Sequence, residues 1–149
     1  MRLLLWAECI IGPYCEATMR DHRKLRAFEL ADELVIAIYR ATKLFPKEEL
    51  FGLTSQLHRT AVLIGSNIVE DSARNSLADY IRLLDIAFAS TREVEYQISI
   101  AGRLRYFEPT VYSDPQKSVQ EDAKVMAGLI RSLRSDRQSH ASSLRSHAF

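Results

Sequence analysis

FPKEELFGLTSQLHRTAVLIGSNIVEDSARNSLADYIRLLDIAFASTREVE, running from Phe45 to Glu95, is the stretch that decides the fold. In its first half Leu53, Leu57, Ala61, Ile64 and Ile68 recur every three or four residues, the spacing of one helix face. In its second half Tyr80, Leu84, Ala87, Thr91 and Val94 keep a heptad rhythm. Polar residues stand among or beside these positions: Gln56, Arg59, Ser66, Asn67 and Glu70, then Ser90, Glu93 and Glu95. Two consecutive helices with polar groups on or near their seams predict a specified helical assembly. They spell out no reaction.

Working outward, a first helix is expected over roughly Asp21 to Lys43, where Phe28, Ala31, Val35 and Ile38 share a face that Phe45 extends. Pro46 supplies the fixed φ of a helix start, with Glu48 and Glu49 in the first turn, so the second helix is expected from there to about Asp71. Ser76 followed by Asp79 resembles a capping box and opens a third helix that reaches about Arg105. Asp114 before Pro115 opens the fourth, along which Val119, Ala123, Met126, Ile130 and Leu133 repeat. A turn at Gly65 would make a helix-turn-helix, but Ile64 and Ile68 stay in phase across it, and one helical Gly costs only about 1 kcal/mol. No segment alternates with a period of two. Short links between the helices force antiparallel neighbours. The expectation is an all-α, antiparallel up-down-up-down four-helix bundle.

These residues resemble the four-helix-bundle proteins encoded in intervening sequences of bacterial 23S rRNA genes, to which the accessory variability proteins of diversity-generating retroelements are similar. The family run resembles F-P-x-x-E-x-x-G-L-x-x-Q-x-x-R-A-x-x-S-I-x-x-N-I-A-E-G, followed by A-x-G-S-x-x-E-x-E. Phe45, Pro46, Glu49, Gly52, Leu53, Gln56, Arg59, Ile64, Asn67, Ile68 and Glu70 fall on it, as do Arg74, Ala87, Ser90, Glu93 and Glu95. Thr60, Leu63, Gly65, Val69, Asp71 and Ala89 depart from it. The likeness runs from about Met19 to about Leu133. It implies a bacterial, ribosome-associated, cytoplasmic protein that assembles as a homopentamer, with RNA or a nucleoprotein as partner.

The 149 residues, 47% hydrophobic and 26% charged, suit one globular domain, which would bury roughly two thirds of the unfolded chain's surface. Residues 1–18 are expected to be a poorly ordered extension, because MRDHRKLRAFELADEL from Met19 looks like a family amino terminus. Residues 19–135 would form the bundle. The polar run DRQSHASSLRSHAF, residues 136–149, reads as a mobile tail. Glu8 interrupts the apolar opening, which is too short to span a bilayer, so no membrane role is expected. Cys9 and Cys15 have five residues between them and form no CxxC pair. They read as two thiols in a reducing cytosol.

Chemistry is sparse. None of the four histidines, at 22, 58, 140 and 147, follows a Glu by three residues, so the Glu-x-x-His pairs of dimetal bundles are absent. No phosphate-cradling glycine loop or nucleophile elbow appears, and no catalytic residue, metal or cofactor is expected. Glu93 and Glu95 lie about 200° apart around one helix and cannot share a substrate. Pairing with Arg59 or Arg92 is the blander fate for one of them. Gln56, Arg59, Asn67 and Glu70, with Glu93, are expected to form a polar network between the second and third helices.

Net charge is only +1, with 20 Lys and Arg against 19 Asp and Glu, so there is no bulk field to attract nucleic acid. The cations do cluster locally. Arg20, Arg23, Lys24 and Arg26 precede the first helix, joined by Arg40 and Lys43. Arg103, Arg105, Arg131 and Arg134 form a second set. Repeated around an oligomer, these would make sequence-tolerant, salt-sensitive phosphate contacts. The competing expectation is a structural adaptor that binds another protein and has no nucleic-acid affinity of its own.

Overall fold

The computed structural model describes residues 22–72, 76–108 and 113–146. Residues 1–18, Arg20 and the last three residues of the expected tail lie outside them. The described elements are four helices: α1 (Arg26–Ala41), α2 (Leu53–Ser72), α3 (Leu77–Arg103) and α4 (Ser113–Ser146). A 3₁₀ turn, His22–Lys24, precedes α1. In the bundle α1 packs on α2 and α4, and α3 packs on the same two, so α1 and α3 sit diagonally. This is the up-down-up-down arrangement that the short links require.

The core follows the sequence periodicity closely. Leu57, Ala61, Ile64 and Ile68 of α2 are fully buried, as are Leu84, Ala87 and Val94 of α3. They meet Ala31, Leu34 and Ile38 of α1 and Val119, Met126 and Ile130 of α4. Helix α2 runs unbroken through Gly65, where a Cβ would find open space. The helix-turn-helix alternative is therefore absent. No described helix is long and apolar enough to cross a membrane.

The structure corrects the expectations at three boundaries. Pro46 does not start α2. It sits in extended backbone, ψ 141°, between the 3₁₀ turns Thr42–Leu44 and Lys47–Glu49. The cap of α2 is Glu49, whose Oε2 accepts the Leu53 N–H at 2.9 Å. Gly52 makes room for that carboxylate, since a Cβ there would lie 2.6 Å from Oε2. At the start of α4, Asp114 lies in the helix's first turn, which opens one residue earlier at Ser113. At the far end, α4 continues to Ser146 where a tail was expected from residue 136. Nothing after Gly128 breaks a helix: there is no further Gly and no Pro. Exposed residues 135–139 show a helix carried on past its packing partners.

Helix α3 begins as the sequence implied, with Ser76 Oγ accepting the Asp79 N–H at 3.4 Å. It ends less predictably. Tyr106 N–H returns to Ala101 O and Arg105 N–H to Gly102 O, both at 3.0 Å, the paired closure of a Schellman motif. Glycine or asparagine usually holds the left-handed residue of that motif. Here it is Arg105, at φ 58°, the one non-glycine of positive φ among the described residues.

Candidate nucleic-acid interface

The fold regroups the sequence's cations by bundle end. The C-termini of α1 and α3 lie together, because Phe45 packs edge-on against Phe107 at 4.9 Å and against Tyr106 at 5.5 Å. Tyr106 Oη also donates to Glu49 Oε1 at 3.1 Å, fastening the α1–α2 and α3–α4 links to each other. That bond and partial burial raise the tyrosine's pKa. Arg40 and Lys43 close α1, Arg103 and Arg105 close α3, and Lys47 lies in the 3₁₀ turn between α1 and α2. All five are exposed, and none forms an ion pair among the described residues. Part of their role is local: cations in a last turn offset the partial negative charge of a helix C-terminus.

The opposite end is different. Arg26 pairs with Glu29 and with Glu121 of α4, each at 3.2 Å, and these bonds raise its pKa. Arg134 holds Asp85 of α3 with a two-pronged contact, 2.9 and 2.7 Å. Arg23 and Lys24 lie in the 3₁₀ turn ahead of α1, and Arg131 is on α4 beside Arg134 in a hollow shared with Asp85 and Phe88. The two sequence groups are thus split. Arg40 and Lys43 join Arg103 and Arg105, while Arg23, Lys24 and Arg26 stand at the start of α1 and Arg131 and Arg134 lie farther along α4, beside Asp85 of α3.

The free-cation end is also unusually apolar. Phe51 is 92% exposed, and Leu44, Leu50 and Leu104 are 62%, 56% and 51% exposed. Beside them Leu44, Pro46, Gly102, Arg105, Tyr106, Phe107 and Glu108 line an open hollow of about 770 Å³. Glu48 and Glu108 are exposed counter-charges at this end, whereas Glu49 is occupied by Leu53 and Tyr106. Sequence reasoning missed Phe51 and Lys47. Both fall on unspecified positions of the family run, and nothing in a periodicity marks a turn residue as exposed.

The polar network between α2 and α3 has other members than the sequence suggested. Glu93 takes part, accepting from Thr60 Oγ1 at 3.3 Å and from Gln97 Nε2 at 2.9 Å. Asn67 Nδ2 instead donates to Leu63 O of its own helix at 2.7 Å. Gln56, Arg59 and Glu70 are on the exposed side of α2. Glu95 pairs with Arg92 one turn away. Spacing put Asn67 and Glu70 on one face of α2. It could not say that three residues round from the seam is far enough to face water.

Two polar groups, one half-buried and one buried, went unnoticed. His58 stacks on Tyr39 at 3.9 Å, and its Nε2 lies 2.7 Å from Thr42 Oγ1. Thr42 also bonds Ile38 O at 2.9 Å, which makes the ring nitrogen the donor, and burial lowers the His58 pKa. Asp122 of α4 is fully buried against Thr91 of α3, 3.2 Å from its hydroxyl. Its other oxygen has no hydrogen-bond partner. Burial pushes its carboxyl up to about 7, against the smaller opposing pull of the Thr91 hydroxyl. Thr91, read from sequence as a position on the heptad of the third helix, is buried inside the protomer.

The chain resembles a solved structure, a protein with unknown function from the S23 ribosomal protein family of Bacteroides thetaiotaomicron VPI-5482. The two share 26% identity with a TM-score of 0.64, over 70% of this chain and 95% of that one. No curated protein matches the chain. The family described as 23S rRNA-intervening sequence protein matches residues 23–128, a span covering α1, α2, α3 and the first half of α4. By that match, the chain belongs to the 23S rRNA-intervening sequence protein family.

Proposed function

We propose that this is a non-enzymatic, homo-oligomeric bundle, pentameric by family resemblance, that binds RNA or a ribonucleoprotein surface through the end where α1 and α3 terminate. One observation carries the reading: Arg40, Lys43, Lys47, Arg103 and Arg105 gather there with no ion pair among the described residues, while Arg26 and Arg134, away from that end, are neutralised by carboxylates. Symmetric repetition would multiply a modest patch, and phosphate contacts release counterions, so affinity would fall steeply with salt. The family's name points to an rRNA context without naming a ligand.

A filter-binding titration against rRNA fragments at two salt concentrations tests this, with light scattering to read the oligomer. Tight binding at low salt that weakens as salt rises is the expected result. No binding at low salt would reject it and favour an adaptor whose partner is another protein. A monomer by light scattering would reject the oligomer independently.

A further inference from the structure

We infer that Phe51 is a base-stacking residue, and that the ligand of this end is single-stranded RNA with unpaired bases. The inference rests on the RNA reading above and adds the form of the RNA. A phenylalanine ring that is 92% exposed does no packing work in the protomer. The turn that carries it is nonetheless anchored through Glu49. The Glu49 carboxylate caps Leu53 just after it, and the Tyr106 hydroxyl holds that carboxylate from the α3–α4 link. Gly52 N–H adds a third tie, to Glu49 O at 3.0 Å. The exposed ring is therefore carried by an anchored turn.

Its setting combines the two elements that bind single strands, cations for the backbone and an aromatic face for the base. Lys47 lies four residues before Phe51, with Lys43 in the preceding turn. Across the link, Arg105 lines a hollow together with Leu44, Pro46, Tyr106 and Phe107. At about 770 Å³ the hollow is large enough for a small planar ligand, and its lining is mixed apolar and polar. A duplex would present phosphates to the same cations but keep its bases stacked inside, leaving Phe51 without a partner. A protein partner would need acidic residues around an apolar centre. The surplus of unpaired cations, even against Glu48 and Glu108, favours a polyanion whose apolar faces are accessible.

The test uses the full chain with a short oligouridine carrying one 2-aminopurine, and a duplex of similar length. Stacking quenches the 2-aminopurine fluorescence, a signal that charge attraction alone does not move. Phe51→Ala is expected to weaken single-strand binding roughly five- to hundred-fold and to abolish the quench, with little effect on the duplex. Phe51→Trp should restore both. Because the ring is exposed, neither variant should disturb folding. If the parent binds the single strand but Phe51→Ala binds and quenches like it, the stacking role is overturned and the RNA reading stands. If Phe51→Ala weakens single strand and duplex equally, the ring acts on the backbone and the inference also fails. If the parent binds neither probe at low salt, the RNA reading falls and takes this one with it.

Discussion

The two ends of the bundle carry similar numbers of cations and use them in opposite ways. Where α1 starts, Arg26 bridges to Glu121, and farther along α4 Arg134 grips Asp85 of α3, so the charge stitches α4 to its neighbours. Where α1 and α3 stop, Arg40, Lys43, Arg103 and Arg105 reach no carboxylate among the described residues. Linear order hid this, because antiparallel topology places the ends of α1 and α3 side by side. Counting charges along a chain measures supply. Only the fold says which of them remain available to a partner.

The sharpest way to break this comparison is to remove the charge at each end in turn. Replacing Arg40, Lys43, Arg103 and Arg105 with Gln is expected to cost roughly a thousandfold in RNA affinity at low salt, and to flatten the log–log salt slope by about 3. Replacing Arg23, Lys24, Arg26 and Arg131 should change affinity only a few-fold. Equal losses from both sets would mean that the oligomer presents both ends, and the contrast would carry no function.

A second test concerns the seam that joins the two ends. Asp122 is raised to about 7 from the ordinary 3.8. Between those values the folded chain holds a proton that the unfolded chain releases. Stability is therefore full below about 4 and declines as pH rises toward 7. His58 acts with the opposite sign. Its lowered pKa means the unfolded chain binds the proton more readily, so its contribution is lost as pH falls below the ordinary histidine value. Asp122→Asn should stabilise the protein at pH 8 by about 2–4 kcal/mol and leave it nearly unchanged at pH 4. Thermal melts at the two pH values would read the difference. A constant offset at both would mean that the effect comes from packing and not from the proton.

Glu49→Gln probes the anchor of the free end. An amide has one acceptor oxygen where the carboxylate serves both Leu53 N–H and Tyr106 Oη. Stability should drop by about 1–2 kcal/mol. RNA affinity should rise modestly as a negative charge leaves the site, unless the loosened turn outweighs it at Phe51. Single-strand and duplex titrations separate those two contributions, since only the former would feel a displaced ring.

Much of the fold was legible because burial follows periodicity. Leu57, Ala61, Ile64 and Ile68, and likewise Tyr80, Leu84, Ala87, Thr91 and Val94, are buried where their spacing put them. Asp122 was readable too, standing three residues after Val119 and four before Met126 on the seam itself. It drew no reading because only the apolar members of that repeat were followed. The polar network was half legible: Glu93 belongs to it, but its partners Thr60 and Gln97 look unremarkable in sequence. The site was least legible. It is built from turns, and its members Lys47, Phe51 and Arg105 owe their placement to Glu49, Gly52 and a left-handed closure that no repeat announces. The length of α4 was missed for a related reason, since polar helix past the last apolar residue shows no amphipathic stripe.

The smallest expected effects give the finest version of the comparison, with one substitution at each end. Arg134→Gln removes a two-pronged but exposed pair, so it should cost only about 0.5–1 kcal/mol. Arg105→Gly should go the other way. A side chain at φ 58° costs roughly 1 kcal/mol that glycine avoids, and the loss of unfolded-chain restriction cancels part of the gain. A net stabilisation of up to about 0.5 kcal/mol is the expected outcome by denaturant titration, accompanied by weaker RNA binding. That pairing of signs is the informative result. A cation that lowers stability where it stands, and raises affinity for a polyanion, serves the ligand and not the helix terminus. If Arg105→Gly were destabilising, the guanidinium would be capping the α3 carbonyls, and the free end would be as structural as the paired one.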